Sequence, residues 1–216
     1  MSFYEDKIFP LALDIALAGV KQTRIDLVSQ ARGRVLEIGI GNGANLPFYS
    51  NQAVEVVGIE PCEAMVKMAG DRLKVLSEQS KLALRLNQYD LRVGGGERLP
   101  FDDNSFDTAV ACLVFCTIPD AEQAAKEMYR VLKPGGQLLF FEHVHATGAI
   151  KKHIQDWLNP VWKPVALGCH LNRDTKTLFE SIGFKYDNLQ EMNHPKMFSV
   201  FSSVILGTAH KPVAAH

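Results

Sequence analysis

Residues 34–43 read Arg34-Val35-Leu36-Glu37-Ile38-Gly39-Ile40-Gly41-Asn42-Gly43. An apolar run bounded by Gly33 and Gly39 predicts a short buried strand. It ends in glycines at alternate positions, 39, 41 and 43. Glycine adopts backbone angles other residues resist and lets a ligand approach the main chain. Such a turn sits at the carboxyl edge of a parallel sheet, where open α/β folds bind ligands. Position 44 is Ala, so the full dinucleotide GxGxxG spacing is missing. A tight strand-to-helix turn is the plain alternative. Glu37 tips the balance, because a buried strand has no use for an unpaired carboxylate. A carboxylate there can hold the network around a cationic ligand.

The rest of the chain is consistent with one such domain. It has 216 residues, 47% hydrophobic, with a net charge of −1, enough for a single sizeable core. That charge argues against a polyanionic partner, so nucleic-acid binding is not expected. The cysteines are Cys62, Cys112, Cys116 and Cys169. Cys112 and Cys116 are spaced CxxxC with no matching His/Cys pair close by in sequence, so no metal site is expected. Scattered cysteines and the absence of a signal peptide point to a reducing cytoplasm. Ile8 to Val20 is too short to span a bilayer and is interrupted by Pro10 and Asp14. It reads as a helix packed over the sheet, or alternatively as a shallow membrane-surface helix.

In chain order, residues 8–31 predict one or two helices, and 34–39 the first strand. A helix start follows near Asn42 to Tyr49, shortened by Pro47. Val54 to Glu60 is the second strand. Pro61 opens a helix running to about Ser77. Leu86 to Val93 is a third strand, stopped by Gly94-Gly95-Gly96. Phe106 to Cys112 is the fourth strand and Asp120 to Leu132 an amphipathic helix. Lys133-Pro134-Gly135-Gly136 reads as a turn before a fifth strand, Gln137 to Glu142. This alternation predicts βαβ units and a parallel sheet. Further on, Lys151 to Trp157 and Arg173 to Ile182 read as helices, with an irregular stretch through Pro160, Pro164 and Gly168 between them. Phe184 to Leu189 and Phe198 to Leu206 read as an antiparallel closing pair. The chain is read as one domain: a helical lead-in (1–32), a ligand-binding core (33–144), cap helices (145–182) and closing strands (183–208).

Glu60 ends the second strand about 20 residues after the glycine loop, where an acid accepts ribose hydroxyls in nucleoside-binding folds. An ordinary carboxylate at the head of the following helix is the other reading. Gly96-Glu97-Arg98-Leu99-Pro100-Phe101 makes an apolar bend before Phe106-Asp107 re-enters the sheet; it reads either as a loop with a hydrophobic anchor or as one whose backbone can reach an adenine edge.

Taken together, VLEIGIGNG, GIEP, GERLPFDDNSFD and RVLKPGG, in this order and spacing, resemble the class I S-adenosylmethionine-dependent methyltransferases over about residues 33–144. The resemblance implies a Rossmann-like α/β fold: a seven-stranded, mostly parallel sheet with the last strand antiparallel and helices on both faces. By match, Glu37, Gly39, Ile40, Gly41, Asn42, Gly43 and Asn45 surround the methionine part of S-adenosyl-L-methionine. Glu60 with Pro61 holds the ribose, Met65 packs near the adenine, and Gly96 with Glu97 meets its edge. Cys112 and Leu113 offer backbone to the methionine amino group. Many relatives carry Asp where this chain has Gly95, which implies a backbone-only contact to the adenine amine here.

Gly43-Ala44-Asn45, Leu113-Val114-Phe115-Cys116, Phe141-Glu142-His143-Val144, Trp157 with Asn159-Pro160-Val161-Trp162, and Gly168-Cys169-His170-Leu171-Asn172-Arg173 are similar to methyltransferase-like proteins related to microsomal alkyl thiol methyltransferases. Those relatives carry a membrane-anchoring helix; this chain offers at most Ile8 to Val20, so a soluble, cytoplasmic relative is expected, with peripheral membrane contact as the other reading. The implied activity is methyl transfer to a small hydrophobic acceptor, with a thiol leading, by in-line displacement that yields S-adenosyl-L-homocysteine. The alternatives are C-methylation of a quinone precursor and a cofactor-binding sensor without turnover. Phe115, Cys116, His143, Trp157 and Trp162 are the candidate acceptor pocket. His143 either takes the acceptor proton or orders its loop by bonding Glu142.

Overall fold

The computed structural model describes residues 18–213 except residue 84. Most of the Ile8 to Val20 reading therefore lies outside the described residues. Helix α1 (Lys21–Val28) leads into β1 (Gly33–Ile38), β2 (Ala53–Glu60), α2 (Glu63–Glu78), β3 (Tyr89–Val93), β4 (Phe106–Cys112) and α3 (Ala121–Val131). Then come β5 (Leu132–His143), α4 (Ala149–Val165), α5 (Thr175–Ile182), β6 (Lys185–Asn193) and β7 (Ser203–His210). The seven strands form one sheet in the order β3-β2-β1-β4-β5-β7-β6. β1 to β5 are mutually parallel, and β7 runs antiparallel to both β5 and β6. The order reverses between β1 and β4, which puts the loops after both strands at the switch point.

The core follows from strand periodicity. Leu36, Val57, Ala109, Leu138, Phe140 and Ile205 face α3 and α5. Their neighbours Val35, Val56, Val110, Leu139, Phe141 and Val204 face α1 and α2. Both faces of the central strands are buried, as a continuous apolar run in a parallel sheet requires.

Several boundaries differ from expectation, each for a local reason. No α-helix follows β1; there is only a 3-10 turn, Leu46–Phe48. Gly39, Gly41 and Gly43 hold φ of 68°, 55° and 77°, left-handed values that prevent a helical run, and Pro47 withdraws a donor. Pro61 precedes α2 rather than opening it, with Cys62 at the N-cap. Residues 86–88 form a 3-10 turn before β3. Lys133 to Gly136 belong to β5 as an irregularity, where the register jumps from Phe106↔Leu132 to Thr108↔Gln137. The amide of Gly135 donates to the Lys211 carbonyl at 2.7 Å and so ties that bulge to the chain end.

Helix α4 runs through Pro160 and Pro164 instead of stopping after Trp157. Both prolines lie on its exposed face, so the carbonyls they leave without a helical donor turn to water. Its inner face is anchored by Gln155, which accepts from Ala146 N at 2.7 Å and donates to Val200 O at 2.9 Å. Asn159 Oδ1 adds a bond from Leu171 N at 2.8 Å. Ser199–Phe201 is a 3-10 turn, so β7 begins later than expected.

Candidate active site

The loop after β1 is shaped by its glycines and held from below by Glu37. A Cβ on Gly43 would stand 2.5 Å from Leu46 Cδ1 and 3.1 Å from the Ala69 backbone. One on Gly39 would collide with Val114. Glu37 is 2% exposed. Its Oε1 accepts from Asn45 Nδ2 at 2.6 Å and its Oε2 from Tyr49 OH at 2.5 Å. Arg24 Nε donates to Asn45 Oδ1 at 2.8 Å, and its Nη2 to Ala44 O at 2.6 Å. Burial pushes the Glu37 carboxyl up to about 7, against the pull of Tyr49, Asn45 and Arg24. A lone buried carboxylate would cost far more than its contacts return; this one is satisfied at both oxygens. It therefore fixes the loop through Asn45 and carries latent negative charge beneath it.

Glu60 stands at the end of β2, 8% exposed. Oε2 accepts from Gly41 N at 3.2 Å and Oε1 from Cys62 N at 3.0 Å. Burial raises its pKa. The Gly94 amide donates to the Glu60 carbonyl at 3.1 Å, which brings the loop after β3 alongside. A Cβ on Gly96 would lie 3.0 Å from Ile38, and one on Gly95 would lie 2.7 Å from Glu97 Oε2. Met65 is buried in the first turn of α2. Glycine loop, Glu60, Met65, Gly96 and Glu97 thus share one end of the sheet.

The third wall is the turn after β4. Leu113 holds φ of 55°, an uncommon conformation for a branched side chain. Its amide donates to Phe141 O at 2.7 Å, so it presents only a carbonyl to a ligand. Glu142 is wholly buried in β5 and accepts from Val114 N at 3.0 Å and Phe115 N at 3.1 Å. Burial lifts Glu142 to about 7. Tyr49, Arg24 and Glu142 are the supporting residues that the sequence reading missed. An acid inside an apolar strand run was the available signal for Glu142, as it was for Glu37.

The expected acceptor pocket is only partly assembled. Phe115 is core, edge-on to Phe179 at 4.9 Å. Trp157 is 79% exposed on an outward stripe of α4 with Ile150 and Ile154, so it faces solvent. Trp162 packs on Phe201 at 4.6 Å and borders an apolar cavity of about 130 Å³ with Leu158, Val161, Val165, Leu171 and Val200. His143 does not bond Glu142; its Nε2 lies 3.1 Å from Cys169 Sγ, and its buried Nδ1 has no partner. Cys116 lies against the same pair. A cleft of about 720 Å³ opens between α1, Phe48 and α2 beside Ala18, and none of the candidate residues lines it. The sheet edge, with its backbone groups and acids, is where the chemistry converges.

Known proteins resemble this chain in sequence and fold. The methyltransferase domain family matches residues 36–140. A thiol S-methyltransferase TMT1B from Rattus norvegicus is 33% identical over 180 residues, 82% of this chain and 70% of that protein. The chain belongs to the class I S-adenosylmethionine-dependent methyltransferases. A ubiquinone/menaquinone biosynthesis C-methyltransferase from Geotalea daltonii is 30% identical over 125 residues, 56% of this chain and 50% of that one. A SAM-dependent methyltransferase structure from Methanosarcina mazei superposes with a TM-score of 0.66 at 20% identity, covering 88% of this chain and 97% of the other. This methyltransferase therefore uses S-adenosylmethionine as methyl donor. Among the described residues no helix is long and apolar enough to cross a membrane.

Proposed function

We propose that this methyltransferase methylates a small hydrophobic thiol on sulfur. The observation that carries the reading is the extent of similarity. The match to the thiol S-methyltransferase covers 180 residues, 82% of this chain, and so extends well beyond the core at 36–140 into the cap region, whereas the quinone enzyme's match covers 125 residues, 56% of the chain. Trp162 and its apolar cavity in the cap suit a small hydrophobic acceptor.

S-adenosylmethionine supplies a methyl group activated on a sulfonium. The residues fit that cation. Glu37 and Glu142 are buried acids whose raised pKa values leave them ready to ionise beside positive charge. The cradle proposed is Gly39 to Gly43 with Asn45 for the methionine part, Glu60 and Pro61 for the ribose, and Met65, Gly96 and Glu97 for the adenine. The carbonyls of Cys112 and Leu113 would take the amino group. Alignment is the main contribution of such a scaffold, worth roughly 7–11 kcal/mol in favourable cases. The test is a labelled-methyl screen over alkyl thiols, thiophenols, quinone precursors and amines, read by mass spectrometry. The expected product is the S-methyl thioether. A C-methylated quinone precursor as the sole product overturns the thiol assignment.

A further inference from the structure

Three side chains from separate segments converge beside the donor cradle. Cys116 is in the turn after β4, His143 is the last residue of β5, and Cys169 follows α4. Their sulfur and ring-nitrogen atoms all lie within 4.8 Å of one another, with His143 Nε2 and Cys169 Sγ 3.1 Å apart. Cys116 is 3% and His143 5% exposed. The main chain imposes this meeting. The His170 amide donates to the Cys116 carbonyl at 2.8 Å. Gly168, at φ 93°, turns the chain back after α4, with its amide on Lys163 O at 2.8 Å. Arg173 Nη1 donates to the carbonyls of Phe115 and Ile118, which fastens the segment after Cys169 to the same turn. The His143 ring, buried with Nδ1 unpartnered, has unfinished hydrogen bonding.

We propose that Cys116, His143 and Cys169 form a binding site for one thiophilic metal ion of the zinc class. Two thiolates and an imidazole are the donors such ions select. Three protein ligands leave a fourth position open, as in catalytic rather than structural zinc sites. Zinc–sulfur bonds of about 2.3 Å and zinc–nitrogen bonds of about 2.0 Å place tetrahedral ligand atoms roughly 3.5–3.8 Å apart. The present separations, 3.1 Å for His143 Nε2 to Cys169 Sγ and at most 4.8 Å for the others, bracket that range. On binding, two S–H bonds break, two metal–sulfur bonds form, both protons pass to solvent, and no electrons are exchanged. Because both thiols give up their protons to bind, affinity rises with pH. As a ligand, His143 takes no acceptor proton. Resting on the thiol reading above, the fourth position is where the acceptor sulfur binds.

The test uses the reduced full chain, freed of metal and titrated with Zn²⁺ and with Co²⁺, without methyl donor or acceptor. One ion per chain is expected, with a thiolate-to-cobalt charge-transfer band. Cys116→Ser and Cys169→Ser should each weaken binding by about tenfold or more, while Cys62→Ser leaves it unchanged. Cys169 is only partly buried, so its variant is expected to stay folded, checked by circular dichroism. No stoichiometric binding, a cobalt spectrum without the thiolate band, or full affinity in folded Cys169→Ser overturns the site. Adding an alkyl thiol to the cobalt form should shift the band. An unshifted band with intact metal binding overturns only the acceptor's place, independently of whether thiols are methylated.

Discussion

The amide of Gly41 donates to Oε2 of Glu60 at 3.2 Å, so the glycine loop and the acid that ends β2 form one unit. Glu60→Ala therefore removes the proposed ribose acceptor and loosens the loop together. Hydrogen bonds to a charged group are worth about 1.5–3 kcal/mol each, and about 1.4 kcal/mol is tenfold in affinity. The expected loss is about 10–100-fold in S-adenosylhomocysteine affinity by calorimetry. Unchanged affinity would remove Glu60 from the site.

Glu37 makes stability depend on pH in a defined direction. Its carboxyl is raised from 4.5 to about 7 by burial, so the folded state holds this proton more tightly than the unfolded chain. The group's contribution is full below pH 4.5 and is lost as pH rises through about 7. Glu142 acts in the same sense. Glu37→Gln should flatten the fall in urea midpoint across that window. If the variant and the parent chain share one pH profile, Glu37 does not titrate there.

Binding of a cation should reverse the preference of the same acids. S-adenosylmethionine is expected to release protons on binding near pH 6, seen as a dependence of calorimetric heat on the buffer's ionisation enthalpy. Equal heats in phosphate and imidazole buffers would show that neither acid responds to the ligand.

Gly43→Ala should destabilise the fold, because the residue sits at φ 77° and its Cβ would press on Leu46 and the Ala69 backbone. Left-handed strain costs about 1–3 kcal/mol, and about 2–4 °C of Tm is lost per kcal/mol in a chain of this size. Differential scanning calorimetry reads it; an unmoved Tm would show that the loop relaxes freely.

The two tryptophans of α4 should separate. Trp157→Ala, on the exposed stripe, is expected to change stability by less than about 0.5 kcal/mol. Trp162→Ala loses its packing on Phe201 and enlarges the adjoining cavity, at a cost of about 2–4 kcal/mol. Equal losses by urea denaturation would contradict the orientation of α4.

The strands at 34–38 and 54–60 and the glycine turn between them were legible because their signals are local, although the helix expected near Asn42 to Tyr49 is only a 3-10 turn. An apolar run, alternate glycines and an acid at a fixed distance state the strand, the turn and the ligand edge without knowledge of the partners. The fate of Pro160 and Pro164 was not legible, since it depends on which face of α4 meets solvent. The role of Glu142 depended on which amides the turn after β4 would present to it.

By itself, then, the sequence determined most of the alternating α/β order, the turn at the alternate glycines, the place of Glu60 at the end of β2 and the family, all carried by short-range pattern and spacing. Only the tertiary structure decided that Phe115 is core, that Trp157 faces outward, and that Cys116, His143 and Cys169 meet. Those three are separated by 26 or more positions. Their meeting follows from the pairing of β4 with β5 and from the return of the chain after α4, and no local periodicity encodes either.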